Sequence, residues 1–159
     1  MSRRKQGFTL VEILIVVIIL GILAAVVIPQ FSDASDDTRG SSAMTNLKTI
    51  RSQLQLYKAQ HGEAYPTDFG NQMTLFTDVS GTTNASQTTT YRFGPYMLRV
   101  PANPYTGVST VTTVADGGTA YTAAADMTFG WWYNSATGEF RCHLPDSVVT
   151  PDGTQVNGL

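Results

Sequence analysis

Residues 7–29 read GFTLVEILIVVIILGILAAVVIP, and Arg3, Arg4 and Lys5 stand just before them. From Phe8 to Ile28 the run is nearly unbroken Leu, Ile, Val and Ala, interrupted by Thr9, Glu12 and Gly21. As a helix it would be about 30 Å long at ~1.5 Å per residue, the thickness of a bilayer core. A surface helix of a small soluble domain keeps a polar face, and this run has none. It is therefore expected to span a membrane or to sit in another environment without water.

Glu12 breaks the pattern. A carboxylate inside an apolar span costs roughly 2.5 to 3.5 kcal/mol even on the gentlest insertion scale, and it calls for a partner. The span holds no Lys, Arg or His. Arg3, Arg4 and Lys5 belong at the cytoplasmic surface by the positive-inside rule. One other cation arises if the chain is cut after Gly7. Phe8 would then carry a free α-amino group, able to pair with Glu12 of its own helix or, better placed, of a neighbour.

The stretch Gly7-Phe8-Thr9-Leu10-Val11-Glu12, with basic residues before it and an apolar run after it, resembles the type IV prepilin signature. The resemblance implies that an inner-membrane prepilin peptidase cuts after Gly7 and N-methylates Phe8. It implies that Glu12 acts in assembly and that Pro29 kinks the helix. An ordinary secretory signal fits less well. Its apolar core is about 7 to 15 residues and ends at a small-residue cleavage site. This run is longer, and Ala24-Ala25-Val26 is a poor site. A plain signal anchor explains the length and the basic flank but not Glu12.

The chain has 159 residues, enough for one small domain beyond the anchor. Its formal net charge is −2. Loss of residues 1–7 removes three basic side chains, leaving seven basic against twelve acidic, or −5. With no basic stripe, a nucleic-acid partner is not expected. Cys142 is the lone cysteine, so no intrachain disulfide forms. In this the chain departs from type IV pilins that close a loop with a cysteine pair, and stands nearer the pseudopilins of type II secretion.

Residues 30–62 are expected to continue as an amphipathic helix. Ala43, Leu47, Ile50, Leu54 and Tyr57 fall at helical spacing, with Met44 and Leu56 widening the stripe. Ser32 to Gly40 is a weak helical stretch expected to bend or melt. His61-Gly62 reads as the helix end, with Gly62 free to take a left-handed cap. Tyr65-Pro66-Thr67 resembles a turn of the major pseudopilin, and Pro66 stops any further helix. A short helical turn is expected within 71–76, and 80–90 reads as an exposed loop. Asn84-Ala85-Ser86 fits a glycosylation pattern that chance alone explains. Residues 93–107 (FGPYMLRVPANPYTG) follow a stiff, proline-rich path that also resembles the pseudopilins.

Residues 108–144 carry the strands. Val108–Val114 is rich in β-branched residues. Asp116-Gly117-Gly118 is a turn, and Tyr121–Ala125 reads as a weak edge strand or loop. Phe129, Trp131 and Tyr133 alternate and are expected to share a face. After a turn at 134–138, Phe140, Cys142 and Leu144 share another. Three or four antiparallel strands would cover the Leu47/Ile50/Leu54 stripe, with a loose tail at 145–159 and a final strand at 148–149.

Sites of chemistry are sparse. His61 and His143 lie in separate elements, and no hydrolase, zinc or phosphate-loop motif is present. Cys142 reads as a small buried hydrophobe. Asp116 and Asp126 flank the loop in which the resemblance places calcium. Two carboxylates with carbonyls suffice for that ion, although the loop departs from the family pattern and turn aspartates are the plainer reading. No other cofactor is expected.

The expected fold is α+β and type IV pilin-like. Residues 1–7 form a leader, 8–29 a transmembrane or filament-core helix, 30–62 the amphipathic helix, and 63–159 a globular head with an antiparallel sheet. The resemblance implies a non-enzymatic subunit of a type II secretion pseudopilus or type IV pilus-like filament. It would be held as a single-pass protein in the bacterial inner membrane with its head in the periplasm. An assembly platform would extract it into a periplasmic or surface filament. The implied partners are further copies of the chain, the prepilin peptidase, the platform and membrane lipid. The alternative is a membrane-tethered minor pilin or binding domain that captures DNA or a secreted protein. A basic or strongly aromatic exposed patch is its expected sign, and the sequence shows neither.

Overall fold

The fold is that of a computed structural model, which describes residues 7–150 and 153–159, apart from the side chains of 26–34. The chain divides into two compact units, Met1–Asp36 and Asp37–Leu159. Helix α1 runs Leu10–Gln60. In the first unit its side chains from Leu10 to Leu23 are exposed, the large apolar ones at 49–81%. Among the described residues no helix is long and apolar enough to cross a membrane. The basic flank Arg3, Arg4, Lys5 lies outside the described residues, as does the side chain of Pro29, where the kink is expected; the backbone there is assigned helix. The Asp/Ser-rich stretch 32–40 is assigned helix throughout.

In the second unit α1 ends as its sequence requires. Gly62 takes φ +63°, and the Glu63 N–H donates back to the Lys58 carbonyl at 3.0 Å. This closes a Schellman-type cap that satisfies a terminal carbonyl. Helix α2 (Phe69–Thr74) follows, capped by the Asp68 carboxylate, which accepts from the Asn71 N–H. Strands β1 (Phe76–Thr77) and β2 (Thr83–Asn84) then form a small antiparallel pair. The segment read as a featureless loop therefore contains a strand, held by β1 rather than by apolar side chains of its own.

The main sheet has three strands in the order β3 (Val111–Val114), β4 (Trp131–Asn134), β5 (Phe140–Cys142). Strands β4 and β5 form the expected antiparallel hairpin, with Tyr133 opposite Phe140. Strand β3 pairs with β4 in parallel, Val111 opposite Trp131. Parallel pairing needs a crossover of about a dozen residues or more, and the glycine- and alanine-rich segment 115–130 supplies it, without the strand entertained at 121–125. The final strand expected at Val148-Val149 is reduced to a bridge between Val149 and Gln155.

The core lies between this sheet and the helical stripe. Ala43, Leu47, Ile50, Leu54 and Tyr57 are at most 2% exposed and cluster with Phe69, Met73, Trp131, Tyr133, Phe140, Cys142 and Leu144. Each large side chain buried there contributes about 1.5–3 kcal/mol. Met44 and Leu56 do not widen the stripe; both are nearly half exposed. Phe129 does not join Trp131 and Tyr133. It precedes β4, and its ring lies against His143 with centroids 4.9 Å apart.

Candidate functional site

The chemistry legible in the sequence gathers at the start of α1. Gly7 and Phe8 are exposed and non-helical, and space around Gly7 is open. Thr9 occupies the N-cap position, and Glu12 stands three residues on. The Thr9 N–H and hydroxyl each donate to Glu12 Oε2 at 3.0 Å, and the Glu12 N–H donates to Thr9 Oγ1 at 3.2 Å. This is a reciprocal capping box, worth about 1 kcal/mol at a helix start. It answers part of the question that Glu12 posed, because one carboxylate oxygen is satisfied within the helix itself. The other, Oε1, makes no hydrogen bond among the described residues and remains able to accept one. The sequence signal for this cap is Thr-x-x-Glu directly before an apolar run.

The calcium candidates are not brought into a site. Asp116 accepts from the Gly118 N–H and the Thr119 hydroxyl, and Asp126 accepts from the N–H and hydroxyl of Thr128. Those bonds hold both carboxyls below the usual carboxylate range. No group of three or more His, Cys, Asp or Glu suited to a metal occurs among the described residues.

Other residues matter by holding the head's loops, and their roles were not legible beforehand. Asn103, in the Pro-Ala-Asn-Pro run, is fully buried; its amide donates to the Gly130 carbonyl at 2.6 Å and its oxygen accepts from the Tyr105 N–H. Trp131 Nε1 donates to the Pro101 carbonyl at 2.8 Å. The stiff 93–107 path is thus pinned to the start of β4. The Tyr133 hydroxyl donates to the Pro66 carbonyl at 2.9 Å, and the Tyr65 ring lies over Gly138 in the β4–β5 turn. Gln72 accepts from the N–H groups of Thr67 and Asp68 and donates to the Gly81 carbonyl, tying α2 to the β1–β2 loop. Cys142 is buried, and burial pushes its thiol up to about 12. A neutral, enclosed thiol is not a nucleophile.

A long helix that opens on an exposed Gly-Phe and a capped glutamate, carrying a small sheet on its second half, defines a type IV pilin-like α+β protein. Residues 2–28 match the family model described as the prokaryotic N-terminal methylation motif. The chain is 38% identical over 106 residues to the type II secretion system core protein G of Pseudomonas aeruginosa, covering 66% of this chain and 72% of that one. It is 32% identical over 126 residues to the protein of the same name from Vibrio cholerae, covering 78% and 83%. The Aeromonas hydrophila protein of that name is 33% identical over 104 residues, covering 65% and 70%. No solved structure matches. The chain belongs to the type II secretion system core protein G family, the major pseudopilins.

Proposed function

We propose that this chain is the structural subunit of a type II secretion pseudopilus, cut after Gly7 by a prepilin peptidase and N-methylated on Phe8. The match of residues 2–28 to the methylation motif carries this reading. Residues 8–29 hold the uncut and the freshly cut protein in the inner membrane, with the head in the periplasm. The apolar side chains exposed along Leu10–Leu23 support an environment of lipid first and of neighbouring helices later. In the filament, Glu12 Oε1 accepts from the Phe8 amine of an adjacent copy while Oε2 stays in its capping box. An unmatched charge among packed apolar helices is penalised, so the pairing sets the axial register. An inner-membrane platform extracts the subunit. The protein's work is mechanical, and no catalytic group is assigned.

The test is the N-terminal mass of the protein purified from its own cells. A chain beginning at N-methyl-Phe8 is expected. An uncut N-terminus in growing, secreting cells would overturn the reading and leave a signal-anchored domain.

A further inference from the structure

We propose that His143 is a pH-sensitive latch that holds the crossover segment 115–130 closed over the outer face of the main sheet. His143 follows β5 and is 8% exposed. Its Nδ1 lies 3.3 Å from the Thr112 hydroxyl on β3. Phe129 tilts against it, and the edge of Tyr121 faces it at 6.1 Å between centroids. Tyr121 is fastened in turn. Its hydroxyl lies 3.1 Å from the Leu144 carbonyl and accepts from the Leu144 N–H, and its ring meets Trp132 edge-on at 5.4 Å. One imidazole therefore joins β3, the crossover and the chain leaving β5.

The neutral ring fits this site and a charged one does not. On β5, Arg141 is ion-paired with Glu139 and sits over the Tyr121 ring at 5.6 Å; its charge opposes a second cation nearby. The Cys142 thiol is neutral. Thr112 on β3, at the ring, carries no charge, nor does Trp132 on β4, which meets the Tyr121 ring. In the crossover, Asp116 and Asp126 are exposed and engaged in their own turns, and Tyr121 is neutral. Beyond β5, Asp146 is hydrogen-bonded to Asn157. No carboxylate hydrogen-bonds the ring among the described residues, so a buried imidazolium lacks an anion. Burial accordingly holds the His143 pKa below the usual histidine value, opposed in part by the Thr122 backbone. The open segment exposes the ring and binds a proton more readily. Closure is thus fully favoured above about pH 6.5 and weakens as pH falls below it.

Hydrogen–deuterium exchange on the full chain in detergent, at pH 7.5 and 5.5 and corrected for intrinsic rates, tests the latch. Amides of 119–129 should lose protection on acidification by up to about tenfold, the ceiling set by pH 5.5 lying one unit below the open-state value, while β4–β5 amides hold theirs. His143→Gln should give equal protection of the segment at both pH values. No loss in the natural chain, an equal loss in the variant, or a loss confined to β1 around the other buried histidine, His61, would overturn the proposal. Should the variant fail to fold, the His143 ring titration by NMR decides, and a midpoint at or above about 6.5 overturns it.

Discussion

Thr9 and Glu12 form a closed pair at the start of α1: the threonine N–H and hydroxyl both donate to Glu12 Oε2, and its oxygen accepts the Glu12 N–H. Glu12 therefore combines a local role in starting the helix with a proposed role between subunits. Substitutions separate them. Glu12→Gln keeps an oxygen for Thr9 but removes the charge, and should abolish filament assembly while leaving membrane insertion intact. Glu12→Ala should do the same. Thr9→Ala should weaken only the helix start, by about 1 kcal/mol. Filament in sheared fractions against protein in the membrane fraction is the readout; normal filament yield from either Glu12 variant would remove the register idea.

Gly138 is required twice. It takes φ +75°, and a Cβ there would lie 2.3 Å from the Tyr65 ring. Gly138→Ala should cost about 3 kcal/mol, from the left-handed backbone and the clash together. Adding Tyr65→Ala should restore the steric part and leave the backbone part. Thermal melts of the single and double variants measure both.

Gly130 has an ordinary φ but no room. A Cβ would stand 2.4 Å from the Val108 carbonyl and 2.8 Å from that of Thr110. Gly130→Ala should push β3 from β4 and expose the Trp131 edge. A red shift in tryptophan fluorescence with a lowered melting temperature is expected, and an unchanged spectrum would count against the packing.

The buried Tyr133 hydroxyl donates to the Pro66 carbonyl. Tyr133→Phe leaves that carbonyl unpaired and should cost about 1–3 kcal/mol. A denaturant midpoint indistinguishable from the natural chain would show the bond to be idle.

Cys142 should be inert in the folded head. With its thiol pushed up to about 12, the stability of the neutral thiol is fully present below about pH 8.5, its unfolded value, and is lost as pH rises toward 12. Iodoacetamide at pH 8 should label the denatured chain and spare the native one. Rapid native labelling would contradict the burial.

The N-terminal half of α1, the helical stripe and the β4–β5 hairpin were legible in the sequence, because each is written in local spacing. Nearly unbroken apolar residues at 8–28, the spacing of Ala43, Leu47, Ile50, Leu54 and Tyr57, and the alternation about 134–138 need no distant partner to be read. The processing motif is likewise contiguous. Tertiary structure alone decided that β3 runs parallel to β4, that Phe129 turns to His143, and that Met44 and Leu56 stay exposed. Each depends on which face another segment reaches. Asn103 shows the limit most plainly: an asparagine between prolines reads as a turn, and becomes a buried peg only when Gly130 passes 2.6 Å from its amide. The sequence by itself determined the helix, the odd glutamate at its start and the family. Contacts distant along the chain decided the sheet's topology and the site of His143, because local periodicity carries no information about what will pack across.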